Sequence, residues 1–163
     1  MPPIEEPVAK VTFRQAKPTD LKTLSKLIRH YYAFDHIAFD TTAVHAGLNT
    51  MLNNKSVGQA FLIAFEATLI GYAILTYGFD LEFGGRTALI TDLFIETKFR
   101  RRGLGRKTLQ FLEQFCRSKK IGALELQVER TNKAAQAFYR GLDFEAHDRI
   151  PMTKRLNTRP SRQ

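Results

Sequence analysis

Three strand-like runs follow one another in the middle of this chain, at residues 60–65, 69–77 and 87–95, separated only by short turns. Glu66-Ala67-Thr68 is short enough to fold the first two into an antiparallel hairpin, and Gly84-Gly85 marks the turn into the third. Such a block can only be a sheet, and its apolar runs need cover on both faces. The cover is written on either side of it. Upstream, Val11 to Ala16 alternates as a further strand. Leu24, Leu27, Ile28 and Tyr31 then repeat at helical spacing behind Pro18-Thr19-Asp20, and Val44, Leu48, Met51 and Leu52 mark a second helix from Thr41 or Thr42. Downstream, Leu104, Thr108, Phe111, Leu112 and Phe115 give an amphipathic helix to about Lys119. Ala123 to Val128 alternates as a strand, Thr131-Asn132 caps a helix to about Arg140, and short strands are expected from Phe144 onward. The order is that of a mixed α/β domain, and it excludes a helical bundle, a sandwich and an evenly alternating doubly wound sheet.

A length of 163 residues fits one domain, expected over 10–156. The proline-rich residues 1–9 are expected to be a flexible N-terminal tail and the polar, basic residues 157–163 a C-terminal tail. The single cysteine, Cys116, excludes a disulfide framework, and His30, His36, His45 and His147 show no ligand spacing, so no metal site is expected. No apolar run is long enough to span a bilayer, and the first residues lack the pattern of a secretory signal. The expectation is therefore a cytoplasmic protein with no membrane partner.

The net charge of +9 is unevenly placed. Residues 1–80 carry seven cations and seven acids, whereas 81–163 carry eighteen cations and nine acids. Six of the cations fall in Lys98-Phe99-Arg100-Arg101-Arg102-Gly103-Leu104-Gly105-Arg106-Lys107, which holds no acid. This stretch lies between the end of a strand and the start of a helix, where unpaired backbone N–H groups and the helix dipole attract an anion. Gly103 and Gly105 remove side chains that would hinder approach to the backbone. Gly105-Arg106-Lys107-Thr108 has an arginine where a P-loop needs Lys after Gly, and Thr108 stands where a dinucleotide fingerprint needs a third glycine. Cations gathered at a glycine turn, without interleaved aromatics on a sheet face, favour a phosphate pocket over a nucleic-acid surface. No nucleic-acid partner is expected.

The motif that does fit is Arg-x-x-Gly-x-Gly, here Arg100-Arg101-Arg102-Gly103-Leu104-Gly105. It follows Asp92-Leu93-Phe94-Ile95 on a strand and precedes Glu125-Leu126-Gln127-Val128 and then Asn132, Ala135, Phe138 and Tyr139. In this order the chain resembles the GNAT superfamily of acetyl-CoA-dependent N-acetyltransferases over about residues 10–156. The resemblance implies the GNAT fold, a mixed, mostly antiparallel sheet of six or seven strands flanked by about four helices. It also implies transfer of an acetyl group from acetyl-CoA to a primary amine by direct attack in a ternary complex.

Site roles follow residue by residue. Backbone amides from Arg101 through Arg102, Gly103, Leu104 and Gly105 to Arg106, with Arg100 opening the motif, would cradle the coenzyme A pyrophosphate. The strand Leu93-Phe94-Ile95 would offer backbone hydrogen bonds to the pantetheine arm and thioester carbonyl. Asn132 and Ala135 would also contact the cosubstrate, and Tyr139 would protonate the departing thiolate. The residues alone leave Asn132 open as a helix cap, Tyr139 as a packing aromatic and Asp92 as either the general base or an ion-pair partner for the arginines. Glu82 is a second candidate base. Two departures stand out: Asp143-Phe144 where the family usually has Gly-Phe, and Arg101 where it commonly has a small residue. Acceptor specificity would come from Tyr31, Tyr32, Phe34, Asp35, His36 and Glu82, which suit a small cationic amine such as a polyamine; the layout of 77–105 is similar to that of diamine acetyltransferases. A domain that binds acyl-CoA without turnover is the alternative, and homodimerisation is left open.

Overall fold

The computed structural model describes residues 10–156. The two expected tails, 1–9 and 157–163, lie outside the described residues. The chain divides into two compact units, one ending at Gln127 and the other beginning at Val128.

The first unit holds β1 (Val11–Gln15), α1 (Leu21–Phe34), α2 (Thr41–Asn53), β2 (Gly58–Phe65), β3 (Thr68–Asp80), β4 (Gly85–Ile95), α3 (Leu104–Ser118) and β5 (Ala123–Leu126). The strands form one sheet in the order β1-β2-β3-β4-β5. The first three pairings are antiparallel, as short turns require, and β4–β5 is parallel because α3 carries the chain back across the sheet. On one face, Ala60, Leu62, Tyr72, Ile74 and Phe94 pack against Leu24, Leu27 and Ile28 of α1 and Leu48 and Leu52 of α2. A 2.8 Å hydrogen bond between Ser25 Oγ and His45 Nε2 ties the two helices together. On the other face Phe61 meets Phe111 and Phe115 of α3 edge-on, with ring centroids 5.1 and 4.9 Å apart. Phe13 of β1 stacks on Phe111 at 4.5 Å.

Two irregularities shape β4. Ile74 faces Asp92 but Leu75 faces Ile90, so Thr91 is an extra residue on β4. Pairing with β5 runs from Thr87↔Ala123 to Ile90↔Leu126 and stops there, so beyond the bulge that edge of β4 has no strand partner among the described residues.

The second unit contains α4 (Lys133–Arg140), capped by Asn132, whose side-chain oxygen accepts from the Ala135 N–H at 3.0 Å. No strand follows α4 among the described residues, so the sheet has five strands rather than the expected six or seven. The short strands expected from Phe144 onward do not form among the described residues: Ile150, Met152 and Leu156 are 72%, 91% and 83% exposed, and Pro151 has no N–H to give a ladder.

β3 and β4 come unusually close where the site begins. A Cβ on Gly71 would stand 2.1 Å from the Phe94 carbonyl oxygen, closer than any real contact. Gly71→Ala should therefore cost about 1–3 kcal/mol and lower the melting midpoint by several degrees. Gly47→Ala, on α2 with open space around its Cβ, should leave stability equal or higher. Equal melting of Gly71→Ala and wild type would show that the strands can part there.

Candidate active site

Residues 100–103 turn the end of β4 into α3 through two left-handed positions. Arg101 has φ 61° and Gly103 φ 71°, so successive amides are drawn toward one concavity of the kind that holds anions. Glycine takes this conformation freely, while for Arg101 it costs on the order of 1–2 kcal/mol. Among the described residues no side chain caps α3, whose first-turn N–H groups remain free for a ligand. The space around a Gly103 Cβ is open. Backbone donors, an open approach and the cations of 98–107 together fit a pyrophosphate. The adjoining β4 edge beyond Ile90 fits an extended, amide-bearing chain.

The arginines of the motif do different things. Arg102 lies over Phe65 and Phe99, at 5.8 and 5.6 Å. Arg100 turns toward α1: its Nε donates to the Ile95 carbonyl at 2.8 Å, and its guanidinium lies 4.2 Å over Phe34 and 5.5 Å over Phe94. The Ile95 carbonyl is thus already engaged.

Asp92 is half-buried on the face under α1, where the Tyr72 hydroxyl donates to its Oδ2 at 2.8 Å. Burial raises the Asp92 carboxyl above the usual range, and the Tyr72 hydrogen bond opposes part of that. Burial, reinforced by Asp92, holds the Tyr72 phenol far above its ordinary value, so it stays a donor at all working pH. Asp92 makes no ion pair with the arginines among the described residues.

Around this pair the structure gathers an aromatic cluster. Tyr31 packs on Tyr32, Tyr72 and Phe94 at 5.8, 6.5 and 5.9 Å, and Tyr32 on Phe39 at 5.9 Å. Burial, then the Asp35 and Asp92 charges, hold the Tyr31 phenol well above its ordinary range. Of the expected acceptor residues, Tyr31 and Tyr32 join this cluster, with Asp35 beside Tyr31, while Phe34 is exposed and meets it only through Arg100. His36 follows in a left-handed turn at φ 54°. Glu82 sits in the 3-10 turn Leu81–Phe83 at the tip of the β3–β4 hairpin, many pairs along the ladder from the Ile74↔Asp92 position.

The partners of Tyr72, His30 and Glu96 are not legible in the sequence. Tyr72 lies inside the strand-like run 69–77, which does not show what its hydroxyl meets. His30 Nδ1 and Glu96 Oε1 are 2.6 Å apart and clamp α1 to the end of β4, a contact across 66 positions that no local pattern announces.

In the second unit Tyr139 is half-buried between Phe138 and Phe144, with centroids 5.4 and 5.9 Å away, and burial raises its phenol. Asp143 takes φ 64° and so fills the left-handed position usually given to glycine. Asn132 acts as the cap of α4, and the Ala135 N–H is taken up by that cap.

Among the described residues no helix is long and apolar enough to cross a membrane, and no group of three His, Cys, Asp or Glu could hold a metal ion.

Comparison with known proteins bears on the family and the fold. The uncharacterised N-acetyltransferase YhfO of Bacillus subtilis (strain 168) is 28% identical over 136 residues, covering 83% of this chain and 90% of that protein. An integron cassette protein from the mobile metagenome of Cole Harbour Salt Marsh superposes with a TM-score of 0.79 at 26% identity, covering 90% of this chain and 91% of the other. A predicted acetyltransferase with acetyl-CoA from Clostridium acetobutylicum superposes with a TM-score of 0.74 at 16% identity, covering 89% and 96%. The model of the Acetyltransferase (GNAT) family matches residues 23–144, which take in the bulged strand, the loop at 100–103 and the helix of Tyr139, and the chain belongs to that family.

Proposed function

We propose that this acetyltransferase takes its acetyl group from acetyl-CoA and passes it to the primary amine of a small molecule. The observation that carries the reading is the open edge of β4 between the left-handed loop at 101–103 and the Asp92 carboxylate. When bound there, acetyl-CoA supplies an activated thioester. The loop amides and first-turn N–H groups of α3 hold its pyrophosphate, and the backbone from Leu93 to Ile95 aligns its arm. An alkylamine is mostly protonated at neutral pH and must lose that proton before it can attack. Asp92 accepts it, directly or through one water, and its raised pKa makes it a stronger base than an ordinary aspartate. The Tyr72 hydroxyl fixes the carboxylate orientation. The family resemblance carries the role of Tyr139 as the acid that returns a proton to the departing thiolate.

The deciding experiment follows free-thiol release from acetyl-CoA across a panel of small primary amines. Thiol release dependent on the amine supports the reading, and none with any acceptor overturns it.

Asp92→Asn should lower kcat/KM by about 10²-fold or more near pH 7, with the loss shrinking toward pH 10, where free amine is abundant. Its stability effect has the opposite sign. Burial raises the folded-state pKa of Asp92, so ionising it costs stability as pH rises through that value. The Asn variant should therefore melt at or above wild type at pH 7–8, the gain vanishing below about pH 4, where both states are protonated. A variant less stable at neutral pH, with a loss of rate independent of pH, would make Asp92 a structural residue.

Gly103→Val forces a branched side chain into φ 71° at the loop and should abolish acetyl-CoA binding in calorimetry. Wild-type affinity should fall as salt rises, because cations flank the site. Normal binding by the variant would place the pyrophosphate elsewhere.

Tyr139→Phe should keep fold and acetyl-CoA affinity while turnover drops about 10²–10⁴-fold. Unchanged turnover across pH would leave Tyr139 a packing residue.

A further inference from the structure

Two guanidinium groups stand at the aromatic cluster above Asp92. Phe39, at one end, carries Arg29, whose Cζ is 4.5 Å from the ring centroid. Phe34 and Phe94, toward the other end, carry Arg100 at 4.2 and 5.5 Å. Carboxylates stand there too: Asp35 next to Tyr31, Asp92, which the transfer reaction uses as its base, Asp40 after Phe39, and Glu96 against His30. A single ammonium has Asp92 and the tyrosine faces to receive it.

Arg100 is also set up to bind something. Its Nε is committed to the Ile95 carbonyl, which fixes the plane of the group. Stacking on Phe34 holds that plane from the side. The two Nη groups have no acceptor among the described residues and form the planar fork that matches a carboxylate. A held guanidinium with its fork unspent is a binding element, and a lysine could not reproduce it.

We propose that Arg100 selects the acceptor: the amine that this enzyme acetylates carries a carboxylate, which the Arg100 fork binds across the aromatic cluster from Asp92. The proposal rests on the transferase reading above and replaces the polyamine expected from the sequence with an amino acid. The reaction is unchanged in its balance. The amine nitrogen forms the amide bond, the thioester bond breaks, the thiolate takes a proton, and the acceptor carboxylate is untouched.

The test compares matched acceptors that differ only in the carboxylate: phenylalanine with phenethylamine, and 4-aminobutyrate and 6-aminohexanoate with propylamine and pentylamine. 1,4-Diaminobutane represents the polycations. Wild type should favour the carboxylate member of at least one pair by about tenfold or more in kcat/KM, and should use the diamine less well than propylamine. In Arg100→Gln, with its melting midpoint checked, that preference should fall to near parity. Any effect of Arg100 on acetyl-CoA scales both members of a pair alike and leaves the ratio in place, so the ratio isolates the acceptor contact. Arg100→Glu should turn the preference toward the diamine. The proposal is overturned if plain amines or the diamine are the better acceptors in every pair, or if Arg100→Gln lowers both members by the same factor. Thiol release with those ratios sinks this inference alone, whereas no release with any acceptor sinks the transferase reading and this inference with it.

Discussion

The rest of the first unit depends on the unequal hydrogen bonding along the two edges of β4. Against β3 the strand is paired from Gly85 to Ile95, while against β5 the pairing covers Thr87 to Ile90 only. The parallel partner is lost where Thr91 bulges and increases the local twist. A backbone left without a partner next to a packed core is costly unless water or a ligand satisfies it. The open segment is therefore an edge, rigidly held on its other side by β3 and kept close to it by Gly71. Rigidity on one edge, with no strand on the other among the described residues, is the arrangement on which the proposed acetyl-CoA site rests.

The same bulge decides which side chains reach the face under α1. By inserting one residue between Ile90 and Asp92, it brings Asp92 and Phe94 to the face under α1, where Tyr72 can reach the carboxylate. A carboxylate in this environment is held against its solvation preference, and the surrounding packing of α1 and α2 supplies what is needed to keep it there. The His30–Glu96 contact serves the same end by fastening α1 to the strand terminus. Placing a reactive group at the junction of a helix and an interrupted strand makes its environment depend on two long-range contacts rather than on its own loop.

Much of this was legible in the sequence, and what was not has identifiable causes. Long amphipathic helices and the strand block announce themselves because their periodicity is local: Leu24, Leu27 and Ile28 mark α1, and Phe111 and Leu112 mark α3. The loop at 100–105 was legible because its glycines and cations are contiguous. Register is different. Whether Asp92 faces Tyr72 or the opposite side depends on one inserted residue, which the sequence does not mark. The strands expected from Phe144 onward are absent among the described residues for the converse reason, since a strand exists only when another strand accepts it. Arg100 illustrates a third limit. A motif identifies the backbone conformation it needs, but the direction of its side chains is set by which aromatic, here Phe34, stands nearby.

One detail of the second unit limits how a helix cap can double as a ligand contact. The Asn132 carboxamide has given one lone pair of its oxygen to the Ala135 N–H. Its NH₂ keeps both donors, which suit carbonyl or phosphoryl oxygens. An aspartate would cap α4 as well but would present only acceptors and a negative charge. The helix would tolerate the exchange, and that corner would lose its two donors and gain a charge. The cap alone therefore does not distinguish asparagine from aspartate; only what the side chain has left over does.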